Sequence, residues 1–196
     1  MSKRNLDAGP NTEPKSKQVK HWSLGLLESM KDPKSIIKET KSVVVIRDKY
    51  PKAKIHYLML PTENINSIYK MNLEHVKLLE EFNRLFEEIK SELSDIKLKA
   101  GFHAVPSMQR LHMHVISIDM ISPCLKTKIH WNSFTTNFFI PFEDILNELK
   151  ETGSIKKMSP ELHKNLMATP LQCNQCTFNP KNLPQLKEHL LTHNKS

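Results

Sequence analysis

The sequence predicts an α+β fold: an antiparallel sheet with one long packed helix, followed by a small second unit near the C-terminus. Three observations predict it. "SVVVIRD" and "IHYLMLP", residues 42–48 and 55–61, are apolar runs separated by the turn-forming "KYPKAK", so they read as a hairpin. "NLEHVKLLEEFNRLFEEIKSEL", residues 72–93, places Val76, Leu79, Phe82, Leu85, Phe86, Ile89 and Leu93 at helical spacing, one wide apolar stripe with a charged outer face. "CNQCTFNPKNLPQLKEHLLTH" spaces Cys173, Cys176, His189 and His193 as C-x2-C-x12-H-x3-H.

The remaining elements follow in chain order. Residues 1–20 are rich in Lys, Pro, Ser and Asn without periodicity, which predicts a disordered basic tail. Its "SKR" and "KSKQVK" pieces fit weak nuclear-import or nucleic-acid contacts, and equally a merely solvated tail. Trp22, Leu26, Leu27 and Met30 recur at helical spacing until Pro33 stops the run, predicting a short helix over 21–33. "LKAGFHAV" (98–105) and "RLHMHVIS" (110–117) read as two further strands around the turn at "PSMQ". Residues 119–141 read mostly as loop with short ordered pieces. "FEDILNELKETG" is a helix closed by Gly153, and "PELHKNLMATP" a short helix leading into the last thirty residues. The boundaries are then a tail at 1–20, a main domain at 21–155 and a finger region at 156–196.

A chain of 196 residues has room for one domain of about 100–150 residues plus something small. Hydrophobic residues at 38 % and charged residues at 26 % describe a soluble protein, and no stretch approaches the roughly 20 apolar residues of a membrane span. The first twenty-two residues hold no apolar segment, so no secretory signal is expected. Two of the three cysteines form the close pair Cys173 and Cys176, and Cys124 stands alone as a small hydrophobe. That is not a disulfide framework, and a reducing compartment is expected. The net charge of +8 favours a polyanionic partner but needs a second signal, since a basic surface also serves solubility.

The C-terminal spacing supplies that signal. A two-residue gap lets a tight knuckle present two thiolates, and two histidines four apart share one helix face, so the four complete a tetrahedron for Zn2+. Phe178 and Leu186 provide the small apolar core that such a unit needs beside its metal. Four protein ligands leave no open position, so the zinc is structural. The alternative is two buried thiols and two surface histidines. Lys181, Gln185, Lys187 and Lys195 are the finger's candidates for touching DNA. A single finger reads only about three base pairs, so backbone contact is the expectation. Finger and charge together make nucleic acid the leading partner.

In "RLHMHVIS" Leu111, Met113 and Val115 alternate with Arg110, His112 and His114, which would put one arginine and two histidines on one face of a strand. Three readings are open. The histidines could ligate a metal, although no carboxylate or cysteine stands at matching spacing. They could be ordinary core or surface histidines. Or they could be a nucleophile and a phosphate-binding partner, since a neutral imidazole attacks phosphorus and leaves a labile phosphoramidate. Such chemistry needs positive or donor groups around the equatorial oxygens, for which Arg110, His114, Ser107 and the loop lysines are candidates.

"LHMHVIS" after "GFHAVPSMQR" resembles the histidine-triad (HIT) family, whose signature is three histidines separated by single hydrophobic residues. "GFHAVPSM", "HVIS", "SPCLK", "HWNSF" and the finger together are similar to its DNA-adenylate hydrolases over residues 20–193. Longer members carry a forkhead-associated domain ahead of this core, which this sequence does not contain. The resemblance implies that His112 is the nucleophile and His114 the phosphate-binding residue. Asp48 matches the ribose-binding acid, His56 the supporting histidine, and His103 and Ser107 the residues flanking the phosphate, His103 lying near the departing DNA phosphate. "SPCLKTKIHWNSF" matches a DNA-backbone segment, through Ser122, Lys126, Lys128 and His130, and Trp22 is the aromatic candidate of a wedge helix that stacks on the duplex end. By itself, Asp48 reads equally as the first residue of a turn, Trp22 as a core residue, and Lys126 and Lys128 as a solvated loop.

One position departs from the signature. Arg110 replaces its first histidine, a residue that supports the hydrogen-bond network. Arginine is longer, permanently charged and cannot accept a hydrogen bond. Either Arg110 substitutes electrostatically at the phosphate or the nucleophile is less well oriented. The resemblance implies removal of 5′-linked AMP from abortively ligated DNA through a covalent histidine–AMP intermediate, in DNA strand-break repair, without Mg2+. The partners expected are double-stranded DNA with nicked or adenylated 5′ ends and AMP as product, with no membrane. A nuclear location and a monomer are also expected. Two alternatives stay open: a DNA-end-binding module with impaired catalysis, and a small-molecule nucleoside phosphoramidate hydrolase.

Overall fold

The computed structural model describes residues 22–108 and 110–194. Its frame is a six-stranded antiparallel sheet of β1 (Ile36–Glu39), β2 (Val43–Arg47), β3 (His56–Pro61), β4 (Leu98–His103), β5 (Met113–Ser117) and β6 (Phe139–Pro141). The spatial order is β1-β2-β3-β5-β4-β6, so β5 lies between β3 and β4. The expected hairpin is β2–β3, in register from Val43↔Pro61 to Arg47↔Tyr57.

Strand alternation sorts the side chains onto two faces. One face carries Val43, Val45, Met59, Ala100, Phe102, Met113 and Val115, which pack against α2 (Val76–Glu92) and α4 (Phe142–Thr152). Asn72 opens the approach to α2 by accepting a hydrogen bond from the Glu74 amide at 3.0 Å, ahead of a short 3-10 turn. The predicted stripe is the buried one: Leu79, Phe82, Leu85, Phe86 and Ile89 are all inside. At roughly 2 kcal/mol each, their burial is worth on the order of 10 kcal/mol, as much as a whole domain's net stability. Gly153 closes α4 with φ +73°, the left-handed conformation expected of it.

The opposite face is divided. At one end Val44, Ile46, Leu58 and Leu60 meet Leu26 of α1 (Trp22–Ser29). At the other, Ile116, Met120 and Leu125 meet Trp131 and Phe134 of α3 (Lys128–Thr135), together with Leu186 and Leu190 of α6 (Leu183–Leu190), the finger helix. The finger therefore shares a core with the sheet. α5 (Pro160–Ala168), capped by Ser159, runs between them without a buried side chain. Between the two apolar clusters the same face presents histidines.

The structure corrects the sequence reading in several places. In residues 119–141, expected to be mostly loop with short ordered pieces, the ordered pieces are α3 and β6. α3 has only eight residues, and Trp131 and Phe134 are too few to show a period; Thr127 caps it by accepting from the His130 amide at 3.0 Å, and burial does the rest. β6 closes against β4 because position 101 is glycine: a Cβ there would lie 2.4 Å from the Ile140 carbonyl oxygen. β1, four residues on a partly exposed edge, carries too short a pattern to announce itself. β5 begins at Met113, so Arg110, Leu111 and His112 precede the strand rather than open it. No helix among the described residues is long and apolar enough to cross a membrane.

Candidate active site

His56 on β3, His103 on β4 and His114 on β5 project from one face, with His112 just before β5. Their rings form a contiguous group: His103 to His114 is 4.3 Å between centroids, His112 to His114 4.9 Å, and His56 to His114 5.2 Å. Phe134 of α3 walls the group, 4.7 Å from His103, 5.2 Å from His114 and 5.3 Å from His56.

Main-chain partners fix the proton positions. His112 Nδ1 lies 2.7 Å from the Arg110 carbonyl oxygen, which can only accept, so Nδ1 carries the proton and Nε2 the free lone pair. The Lys52 amide donates to His56 Nδ1 at 3.1 Å, so the neutral His56 ring has its proton on Nε2. That proton goes to His114 Nδ1 at 2.9 Å, which leaves His114 with its proton on Nε2. Among the described residues, the buried His114 Nε2 and His103 Nε2 have no hydrogen-bond partner. Two neighbouring imidazoles thus present opposite chemistry, a lone pair on His112 and an N–H on His114.

Burial keeps all four rings neutral. It pushes His56 down to about 4, with Asp48 opposing and Lys52 and His112 adding to the shift. It pushes His103 down to about 3, where the ring's protonation is further opposed by His112, His56 and the ammonium groups of Lys52 and Lys99, and it lowers His112 and His114 as well. Asp48 Oδ2 is 3.5 Å from His56 Nδ1, but that nitrogen already accepts the Lys52 amide and the ring is uncharged, so this is no ion pair. Asp48 Oδ1 accepts from the Tyr50 amide at 2.7 Å, so the residue also makes the turn that its type suggests. Between pH 6.5, the ordinary histidine value, and about 4, the unfolded chain binds protons that the buried rings refuse. Stability is expected to be full above that window and to fall as pH drops through it, read as a falling Tm from pH 7 to pH 4.5. A flat profile would mean that these rings are not buried neutral.

Arg110 does not face the histidines as alternation suggested. Its guanidinium donates to the carbonyls of Pro61 at 2.8 Å, Thr62 at 3.2 Å and Glu63 at 3.4 Å, and to Asn64 Oδ1 at 3.4 Å. It pins the loop after β3, the place its position outside the strand gives it. The contribution of position 110 to the nucleophile is its carbonyl, which any side chain leaves in place.

Several other expected residues have internal partners. Ser122 is buried, donating to the Pro51 carbonyl at 2.6 Å and accepting from the Cys124 amide at 3.0 Å. Lys128 donates to the Ala168 carbonyl at 2.7 Å, and Lys187 to the carbonyls of Ser122 at 3.1 Å and Leu125 at 3.2 Å. His130 Nδ1 accepts from the Lys126 amide at 3.2 Å. Lys126, Lys181 and Ser107 are exposed. Trp22 opens α1, and its side chain lies outside the described residues. Lys52 is the site residue that sequence reading missed: besides its amide bond, its charge lowers His56, His103, His114 and His130. It sits in "KYPKAK", where turn composition is the only visible signal.

The finger residues converge. Cys173 Sγ is 3.4 Å from His193 Nε2, Cys176 Sγ 3.1 Å from His189 Nε2, and the two Nε2 atoms are 3.1 Å apart. A tetrahedron with Zn–S near 2.3 Å and Zn–N near 2.0 Å has edges of roughly 3.3–3.7 Å, so four such donors fit Zn2+ with a slight expansion. Phe178 stacks on His189 at 4.1 Å and holds that ligand's ring. This is a structural zinc site.

Residues 21–130 match the family described as scavenger mRNA decapping enzyme C-term binding, and residues 135–196 match the C2HE / C2H2 / C2HC zinc-binding finger. The aprataxin of Danio rerio is 43 % identical over 182 residues, 91 % of this chain and 56 % of that protein. An aprataxin-like protein of Saccharomyces cerevisiae is 30 % identical, covering 86 % of this chain and 94 % of that one. The crystal structure of the aprataxin ortholog Hnt3 from Schizosaccharomyces pombe superposes with a TM-score of 0.67 at 27 % identity, over 85 % of this chain and 88 % of that chain. The same ortholog in complex with DNA gives 0.64 at 27 % identity, over 85 % and 90 %. The chain spans about half the length of the Danio rerio and Ciona intestinalis aprataxins and less of the Drosophila melanogaster protein. A histidine cluster on one sheet face, a finger packed behind it and likeness along nearly the whole chain lead to one conclusion: the chain belongs to the aprataxin family of histidine-triad proteins.

Proposed function

We propose that the chain hydrolyses 5′-adenylated DNA ends, and that the observation carrying this reading is the opposed tautomers of His112 and His114. Neutral His112 Nε2 attacks the AMP phosphorus, a P–N bond forms, and the P–O bond to the DNA 5′-phosphate breaks with its electrons leaving on that phosphate. His114 donates its Nε2 proton as a hydrogen bond to a non-bridging oxygen, where negative charge builds up. His103 stands beside it, and Lys52 adds positive charge to the same cleft. Water then attacks phosphorus and releases a proton to solvent, the P–N bond returns its electrons to His112 Nε2, and AMP leaves with the water oxygen. Asp48, at the end of the strand beside His56, is the candidate for the ribose.

Charge supports the choice of DNA. α2 and α4 together hold nine carboxylates against four cations, although the chain as a whole is +8. The positive excess is therefore carried by the rest of the chain, which favours a polyanionic partner such as a duplex. Hnt3, similar over most of the chain, has been crystallised with DNA. Such a substrate goes with a nuclear location. A DNA-end-binding module without catalysis loses ground because the carbonyl bond that orients His112 survives the change to Arg110. Acid quenching of the wild type in mid-reaction on an AMP-labelled adenylated nick is expected to leave label on the protein. Full turnover with no trapped label would rule out the covalent route.

A further inference from the structure

Lys99 lies on β4, four residues before His103 and on the same face. α3 ends at Thr135, so its last carbonyls lack partners within the helix. The Thr135 hydroxyl donates to the Trp131 carbonyl at 2.8 Å, and the Thr136 amide and hydroxyl donate to that of Asn132 at 3.2 Å and 2.8 Å. The Phe134 carbonyl takes the Lys99 ammonium. This is the negative end of the helix, where a cation is favoured. The ammonium also stands 4.8 Å from the centroid of the Phe139 ring.

Phe134 is thereby held at its main chain while its ring walls three histidines, at 4.7–5.3 Å. Phe139 reaches the same group, 6.3 Å from His103. We propose that Lys99 is a positioning residue of the histidine cleft: it fixes Phe134, and through that ring the orientation of His56, His103 and His114, while placing an unpaired positive charge behind the phosphate site.

Burial alone accounts for the drop of Lys99 to about 8, and no carboxylate among the described residues pairs with it. Its charge helps keep His103 neutral. A cation held without a counter-ion next to an anion-binding cleft is complemented when a phosphate arrives. Lysine at this position therefore serves both the geometry of the empty site and the electrostatics of the filled one. The inference rests on the hydrolase reading for its kinetic consequence, not for its structural one.

The test compares wild type, Lys99→Met and Lys99→Arg on adenosine 5′-phosphoramidate and on an adenylated nicked duplex, with the titration of His103 followed by NMR. Lys99→Met is expected to lose about tenfold or more in kcat/KM on both substrates, the scale of a small misplacement of reacting groups. Its His103 should titrate at higher pH, which a purely structural role would not produce. Lys99→Arg keeps the charge and the donor and should stay within about threefold of wild type. Wild-type rates with an unmoved His103 in Lys99→Met would overturn the proposal. If the wild type turns over neither substrate, the hydrolase reading fails and the His103 titration alone decides the role of Lys99. If Lys99→Met does not fold, Phe134→Leu, which keeps the carbonyl and removes the ring, should reproduce the loss; unchanged rates there overturn the proposal equally.

Discussion

Replacing His112 with alanine is expected to lower turnover of an adenylated nick by at least about a hundredfold, with binding of the adenylated duplex close to wild type. The size follows from what the side chain supplies. His112 is the ring whose outward nitrogen is held as a free lone pair, by the 2.7 Å bond from Nδ1 to the Arg110 carbonyl. His114 cannot take over, because the chain from the Lys52 amide through His56 leaves its proton on the outward nitrogen. His103 is pushed down to about 3 and is neutral too, but it stands on β4 beside His114 rather than at the nucleophile's place before β5. The variant should also lose the acid-trapped protein–AMP label. Binding should persist because alanine removes neither Lys52 nor the cationic surface. Near-wild-type turnover in His112→Ala would falsify the assignment of the nucleophile, and wild-type label with slow turnover would move it to another ring.

What could be read in the sequence was set by period and by motif spacing. α2 and the β2–β3 hairpin were legible because their patterns run long enough to count. The zinc ligands were legible because a metal tetrahedron dictates its own spacing. α3 was not legible, since eight residues with two buried aromatics have no measurable period and take their shape from the core that they complete. The histidines were legible as a motif, but their protonation was not. It depends on main-chain atoms of Arg110 and Lys52, which the fold alone brings within 2.7 Å and 3.1 Å of the rings. The misjudged side of Arg110 has a similar origin: alternation holds inside a strand, and β5 begins three residues later. The expected DNA contacts at Ser122 and Lys128 came with the resemblance of "SPCLKTKIHWNSF", and Lys187 with the finger helix; neither signal shows which main-chain carbonyls lie within reach of a side chain. In the fold each of the three also donates to a main-chain carbonyl: Ser122 to Pro51, Lys128 to Ala168, and Lys187 to Ser122 and Leu125.

Loss of the zinc is the second large effect, and it separates a finger that only touches the DNA backbone from one that supports the catalytic domain. A self-contained finger clamping the duplex would spare a small adenylate substrate when its metal is removed. This finger is not self-contained. Cys173, Leu186 and Leu190 belong to one buried cluster with Ile116 of β5 and with Trp131 and Phe134 of α3. Asn174, inside the zinc knuckle, donates to the Ile118 carbonyl at 2.7 Å, just past the end of β5, and Lys187 ties α6 to the loop before α3. Without the metal the ligand geometry has nothing to hold it, and the unit unfolds. That exposes one side of the core which positions Phe134, the wall of the histidine cleft. Cys173→Ala/Cys176→Ala is therefore expected to lower Tm and to cut turnover of adenosine 5′-phosphoramidate and of an adenylated nick by similar factors, on the order of tenfold or more. Metal content and Tm confirm the state of the variant, and the two substrates are compared at two or more salt concentrations. A loss confined to DNA, with a flatter dependence of affinity on salt, would show fewer phosphates contacted and fewer counterions released. That result would make the finger a backbone-contacting unit and sink the shared-core account. Similar losses on both substrates would make the finger the back wall of the catalytic cleft.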